Sequence, residues 1–185
     1  MIRIKLFSFA LAGLLAAAPA AAALKVGDPA PVFRAKASMN GRAITFSLAA
    51  SLRKGPVVLY FYPAAFTTGC TIEAHDFAEA VDQFKTLGAV VIGVSHDDIA
   101  TLNRFSVSEC QGKFAVVADP DQQIMKEYDS ILPAKPELAN RTSYVITPDG
   151  RILYTYTDLK PDLHVANTLA ALQQWKARTA PQPAP

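Results

Sequence analysis

The run Val57-Val58-Leu59-Tyr60-Phe61-Tyr62 constrains the fold more than any other segment. It holds six apolar or aromatic residues in a row, between Gly55-Pro56 and Pro63. A strand with one wet face alternates apolar and polar residues; an unbroken run marks a strand covered on both faces. Such a strand needs helices to cover it, and the downstream sequence supplies them. Cys70, Ala74, Phe77, Val81 and Phe84 are spaced four, three, four and three apart, one apolar face of a helix that closes near Gly88. Residues 89–95 form the next apolar strand. Asp98 suits the cap of a helix running toward Gly112, and residues 114–118 read as a third strand. Asp119-Pro120 opens another helix.

Hairpins flank this alternating block. Residues 33–38 and 43–46 surround Asn40-Gly41, a two-residue hairpin signal. Residues 142–146 and 151–156 surround Thr147-Pro148-Asp149-Gly150. A last helix carries Val165, Leu169, Leu172 and Lys176 on one face, with Trp175 close to that stripe. The expected fold class is α/β: a central mixed sheet flanked by helices, with an N-terminal β-hairpin extension. No internal repeat or linker divides it.

The first residues read differently. Arg3 and Lys5 precede an apolar run over residues 6–15, an alanine-rich stretch and Ala21-Ala22-Ala23. This is the three-part pattern of a secretory signal peptide. The run is shorter and more alanine-diluted than the ~20 apolar residues of a spanning helix. The expected organisation is a leader at 1–23, one domain at 24–178 and a disordered Pro/Ala-rich tail at 179–185. Export would put the chain in the periplasm or outside the cell, with both cysteines in an oxidising compartment. The leader carries two positive charges and no negative one, so a formal charge of +2 falls to zero on cleavage. That balance excludes a strongly basic nucleic-acid binder, and after processing nothing draws the chain to a membrane. Two cysteines and three scattered histidines imply no metal site, and no cofactor motif is present.

Cys70 is the first candidate for chemistry. It follows a buried strand, Pro63 and a short turn, and it begins a helix. A thiol there meets free backbone N–H groups and the positive end of the helix dipole. Such placement lowers a cysteine pKa from about 8.5 toward roughly 3.5–7.5 and makes the thiolate available. An inert cysteine on the apolar stripe would occupy the same position, so placement alone leaves both readings open.

The surrounding residues extend the pattern. Pro63, Thr67 and Cys70, in the spacing Pro-x-x-x-Thr-x-x-Cys, resemble the active-site signature of the peroxiredoxins, and Thr71 and Glu73 continue it. Asn140-Arg141-Thr142-Ser143-Tyr144-Val145-Ile146 with Pro148-Asp149-Gly150 resembles the strand that brings that family's arginine. Val94-Ser95-His96-Asp97 resembles the end of the strand after its cysteine helix. The resemblance runs from about Val26 to Trp175 and is nearest to the bacterioferritin-comigratory, or Q, type. Phe66 and Thr68 depart from the commonest Q pattern.

The resemblance implies a thioredoxin-like fold and a thiol-dependent peroxidase acting on hydrogen peroxide and organic hydroperoxides. Cys70 would attack as the thiolate. Gly69 and Cys70 N–H groups, the Thr67 hydroxyl and Arg141 would stabilise the leaving oxygen, while Pro63 shields the sulfur. Many Q-type relatives carry a resolving cysteine five residues after the first; here that position is His75. Other members of this type place it in the following helix, where Cys110 lies, so the resemblance implies Cys110 as the resolving thiol, closing a Cys70–Cys110 disulfide within one chain. Its alternatives are a spectator beside a one-cysteine peroxidase, or a structural disulfide. Two other functions stand beside these: an exported thioredoxin-like thiol-disulfide oxidoreductase, which would want cysteine where Thr67 stands, and a non-catalytic binding module. The expected partners are a peroxide and a thioredoxin-like or small-thiol reductant, with the protein a monomer or weak homodimer. His75 could serve as a base or merely sit half-exposed, Glu73 could brace the site loop or Arg141, and His96 and His164 show no pattern.

Overall fold

The computed structural model describes residues 23–180. In chain order the elements are β1 (Arg34–Met39), β2 (Arg42–Ser47), α1 (Leu48–Leu52), β3 (Val57–Phe61), α2 (Thr68–Thr86) and β4 (Val90–Ser95). Then follow α3 (Ile99–Ser108), β5 (Ala115–Ala118), α4 (Gln123–Glu127), β6 (Thr142–Ile146), β7 (Ile152–Thr157) and α5 (His164–Thr179). The strands form one sheet in the order β2-β1-β5-β4-β3-β6-β7. β3, β4 and β5 run parallel, while β1 and β6 attach antiparallel on either side.

β3 behaves as its composition demands. Val57, Leu59 and Phe61 join one apolar cluster; Val58, Tyr60 and Tyr62 join the other. All six are fully buried. The second cluster takes in the whole expected stripe of α2, Cys70 through Phe84, together with Cys110. Both thiols thus lie on one face of the sheet. Tyr60 fits there because its neighbour on β4 is Gly93, where a Cβ would approach the Tyr60 ring to 2.9 Å.

The N-terminal hairpin turns through Asn40 and Gly41, both at positive φ (49° and 74°), as a type I′ turn requires. Its strand β1 pairs with β5 through Ala37↔Val117 and Ser38↔Val116, so the hairpin extends the same sheet.

Some expectations need correction. α1 was not legible as a helix: it is five residues long, started by Ser47 Oγ accepting from the Ala50 N–H. The helix expected at Asp119-Pro120 starts at Gln123, and the Asp119 carboxylate reaches forward to accept the N–H groups of Ile124 and Met125. α3 ends at Ser108, so Cys110 lies beyond its C-cap, Glu109. On α5 the buried face is His164, Thr168, Leu169 and Leu172. Trp175 is half-buried, and exposed Lys176 donates to the Thr86 carbonyl at 2.8 Å. α5 also keeps Thr179, one residue past the expected end of the domain at 178. The leader through residue 22, and residues 181–185, lie outside the described residues. Among the described residues no helix is long and apolar enough to cross a membrane.

Candidate active site

Pro63 follows β3, and residues 64–67 turn the chain into α2. The end of β4 holds that turn. Asp97 Oδ2 accepts from the Ala65 N–H and from the Ser95 hydroxyl, each at 2.7 Å. His96 Nδ1 lies 2.9 Å from the Pro63 carbonyl. A carbonyl only accepts, so this nitrogen carries the proton. Phe66 takes a left-handed φ of 63° and sets its ring edge-on to Phe105 at 5.3 Å. That backbone conformation is uncommon for a bulky residue.

Thr67 is the N-cap of α2, but its side chain makes no capping hydrogen bond. Its hydroxyl donates to the Ala64 carbonyl at 2.9 Å. This corrects the expectation of a hydroxyl donor: the proton is committed to the turn, and the oxygen offers lone pairs. Thr71 N–H closes the first helical turn on Thr67 O at 2.9 Å. The N–H groups of Gly69 and Cys70 precede that bond and so have no partner within the helix.

Cys70 is 1% exposed. Arg141 reaches it because β6 pairs antiparallel with β3, with Thr142 opposite Phe61. The residue before β6 is thereby brought to the end of β3 from which the Cys70 turn departs. Arg141 Nη2 lies 3.4 Å from Cys70 Sγ. Nη1 donates to Glu73 Oε2, and Nε donates to the Leu159 carbonyl at 2.9 Å. Glycine at 69 permits this approach, since a Cβ there would come within 3.1 Å of Nη2. All three guanidinium nitrogens are thus in use, a geometry that a lysine cannot reproduce.

Glu73, one turn after Cys70, is fully buried. Burial raises its carboxyl to about 8 against the opposing pull of Arg141. Burial works against the charge on Arg141, but Glu73 and Cys70 more than offset it, and the guanidinium is held charged. At the other end of α5's approach to the site, His164 is buried against Ser143 and Glu73.

Cys110 is 0% exposed. Burial, aided by the adjacent Glu109, pushes its thiol far above the ordinary cysteine range. Its N–H donates to the Phe105 carbonyl at 3.1 Å. Both cysteines are free thiols. His75 Nε2 faces Glu109 Oε2 at 3.0 Å, so it ties α2 to the segment carrying Cys110 and is engaged away from the Cys70–Arg141 contact. Tyr60 and Tyr62, whose hydroxyls have no hydrogen-bond partner among the described residues, lie within electrostatic reach of both thiols.

The structure therefore brings Pro63, Thr67, Gly69, Cys70 and Arg141 to one end of the sheet, with Glu73 behind the arginine. Sequence reasoning missed the anchoring by His96 and Asp97, and it missed His164. A polar triplet directly after the apolar strand β4 was the signal for the first. Nothing local marks the second.

The AhpC/TSA family profile matches residues 26–155. The chain is 34% identical to the chloroplastic peroxiredoxin Q of Oryza sativa subsp. japonica over 148 residues, 80% of this chain and 66% of the relative. It thus spans slightly under two thirds of that plant protein. It is 31% identical to peroxiredoxin Bcp of Escherichia coli K12 over 146 residues, 76% of this chain and 90% of the relative. The crystal structure of peroxidoxin BcpB from Mycobacterium tuberculosis superposes with a TM-score of 0.73 at 28% identity, covering 82% of this chain and 97% of that one.

Proposed function

The chain belongs to the AhpC/TSA family and is a peroxiredoxin of thioredoxin-like fold, and from that premise we propose that it reduces peroxides with thiol electrons through Cys70. One observation carries this reading: the Arg141 guanidinium lies between the Cys70 sulfur and the Glu73 carboxylate at the first turn of α2.

The Cys70 thiolate attacks one peroxide oxygen. An S–O bond forms as the O–O bond breaks, the sulfur is oxidised to the sulfenic acid, and the second oxygen leaves with the electron pair and takes a proton as water or alcohol. Arg141 and the free N–H groups of Gly69 and Cys70 stabilise the charge on the leaving oxygen. Thr67 accepts a hydrogen bond from the peroxide O–H, and Pro63 walls the sulfur from water.

The Cys110 thiol then condenses with the sulfenic acid, forming a disulfide and releasing water. Two electrons from a thioredoxin-type dithiol or a small thiol restore both cysteines. A disulfide needs Cα atoms within about 7 Å, and both thiols are buried, so the first turn of α2 and the segment after α3 open during this step. Both hydrogen peroxide and organic hydroperoxides are assigned as substrates. The protein works as a monomer or weak dimer, exported after cleavage near Ala23.

Mass spectrometry after one equivalent of hydrogen peroxide tests the chemistry. The wild type should show a Cys70–Cys110 bridge, and Cys110→Ser should stop at a Cys70 sulfenic acid. Absence of any peroxide-dependent change at Cys70 would defeat the peroxidase reading. Cell fractionation with intact-mass measurement tests export and cleavage: the chain should be found outside the cytoplasm without residues 1–23, and a full-length soluble chain in the cytoplasm would defeat both.

A further inference from the structure

His164 heads α5 and is fully buried. Its Nε2 lies 2.9 Å from the Asp158 carbonyl, which only accepts, so Nε2 carries a hydrogen. Its Nδ1 lies 2.8 Å from Ser143 Oγ and 3.5 Å from Glu73 Oε1. Oε1 has no hydrogen-bond partner among the described residues, while Oε2 receives Arg141 Nη1. An unpartnered carboxylate oxygen at zero exposure is costly. The groups around His164 come from several elements: Ser143 on β6, Arg141 just before it, and the Tyr156 ring on β7 at 4.8 Å. Glu73 stands on α2, with Asp76 within its electrostatic reach; Asp158 lies in the loop after β7, and Asp162 acts on Asp76.

The charges in this cluster do not balance once Cys70 ionises. Arg141 is the cation in contact with both Glu73 and Cys70, and a thiolate beside a carboxylate leaves one negative charge in excess. Excess charge in a buried, low-dielectric site is expensive. One proton removes the excess.

We propose that Glu73 and His164 hold one proton between them, so that the pair is neutral and the positive charge of Arg141 is left to the Cys70 thiolate. With the proton on Glu73, the carboxyl O–H turns to Nδ1 in place of Ser143. With the proton on His164, an imidazolium faces a carboxylate. The net charge is the same, and so is the consequence for Arg141. Burial holds Glu73 up near 8 and pushes His164 down, and both directions favour the proton on Glu73. His164 is then a positioning residue, acting on Cys70 through Glu73 and Arg141. The inference deepens the peroxidase reading and rests on it for its purpose.

The experiment uses His164→Asn and His164→Gln, each alone and with Glu73→Gln. Glu73→Gln mimics the protonated acid, because its amide N–H can donate to Nδ1. The first readout is the pH midpoint of Cys70 alkylation by iodoacetamide, which needs no peroxide. The second is the rate of sulfenate formation with hydrogen peroxide. Substituting His164 alone should raise the alkylation midpoint by at least ~1 pH unit and slow sulfenate formation at neutral pH. With Gln at 73, the same substitution should leave the midpoint nearly unmoved. An equal shift in both backgrounds, or none in a folded single variant, would overturn the inference.

If no His164 variant folds, the wild type still decides. Alkylating Cys70 removes the thiolate charge, so the ¹⁵N signals of the His164 ring should titrate at lower pH; an unmoved titration would overturn the proposal. A wild type that alkylates readily and shows the His164 coupling, yet forms no sulfenate, would defeat the peroxidase reading alone.

Discussion

Cys70 and Cys110 share one apolar cluster and almost the same exposure, 1% and 0%. Their charges differ. Cys70 stands in the first turn of α2, where the helix dipole and free N–H groups favour an anion, with a guanidinium nitrogen at 3.4 Å. Cys110 follows the C-cap of α3, where carbonyls point outward and the neighbour is Glu109; burial then keeps its thiol protonated. Burial alone therefore does not decide whether a cysteine is reactive. In the proposed cycle, the end of the helix each joins and the charge the sheet delivers to it set Cys70 to attack first and Cys110 to wait. The proposed second step therefore requires Cys110, fully buried, to be uncovered.

The largest expected effect follows from exchanging the two roles by removal. Cys70→Ser should abolish peroxide turnover. Cys110→Ser should consume the first equivalent at wild-type speed, then stall and pass to the sulfinic acid with excess peroxide. Stopped-flow rates and mass spectra of each variant check this. A slow first step in Cys110→Ser would break the comparison, because it would give Cys110 a part in the attack.

Next is the cation that distinguishes the sites. Arg141→Ala should slow the first step by ~10²–10³ and move the pH midpoint of Cys70 alkylation upward, while leaving the reactivity of Cys110 in the unfolded chain unchanged. An unaltered rate and midpoint would show that the helix terminus is sufficient without the guanidinium.

Glu73 supplies a pH signature of intermediate size. Its carboxyl titrates near 8 when folded and near the ordinary 4.5 when unfolded. Between those values the folded state binds more protons, so stability is fully present below about 4.5 and falls as pH rises through about 8. Urea midpoints across this window should decline for wild type, and less for Glu73→Gln. Equal slopes would place the site's excess proton elsewhere.

The smallest effect concerns the tie between the two regions. His75 and Glu109 join α2 to the Cys110 segment through a partly exposed pair, with the His75 side chain 44% exposed. His75→Ala should cost about 0–1 kcal/mol of stability. It should also speed disulfide closure after sulfenate formation, seen as a faster second phase in tryptophan or mass-resolved kinetics. A slower second phase would mean that the pair guides closure instead of restraining it.

Much of this was legible along the chain. The unbroken β3 run, the α2 stripe and the Asn40-Gly41 turn announce themselves because their periodicity or backbone demand is local. α1 and α4 are a single turn or so long, too short for periodicity to show, and α4 is started by Asp119 from across a turn. His164 carries no local signal at all. Its meaning comes from Ser143, 21 positions away, and from Glu73 on another helix.

The sequence by itself therefore determined the α/β class, the alternation of the strands with the longer helices, and the thiol at the head of α2, since each shows in patterns along a short stretch of chain. Only the tertiary structure decided which charge each thiol meets. The antiparallel pairing of β6 with β3 carries Arg141 to Cys70, and α5 sets His164 behind Glu73. The end of α3 leaves Cys110 covered beside Glu109. Electrostatic energy depends on distance through space and on exclusion of water, and neither is written in the spacing of residues along the chain.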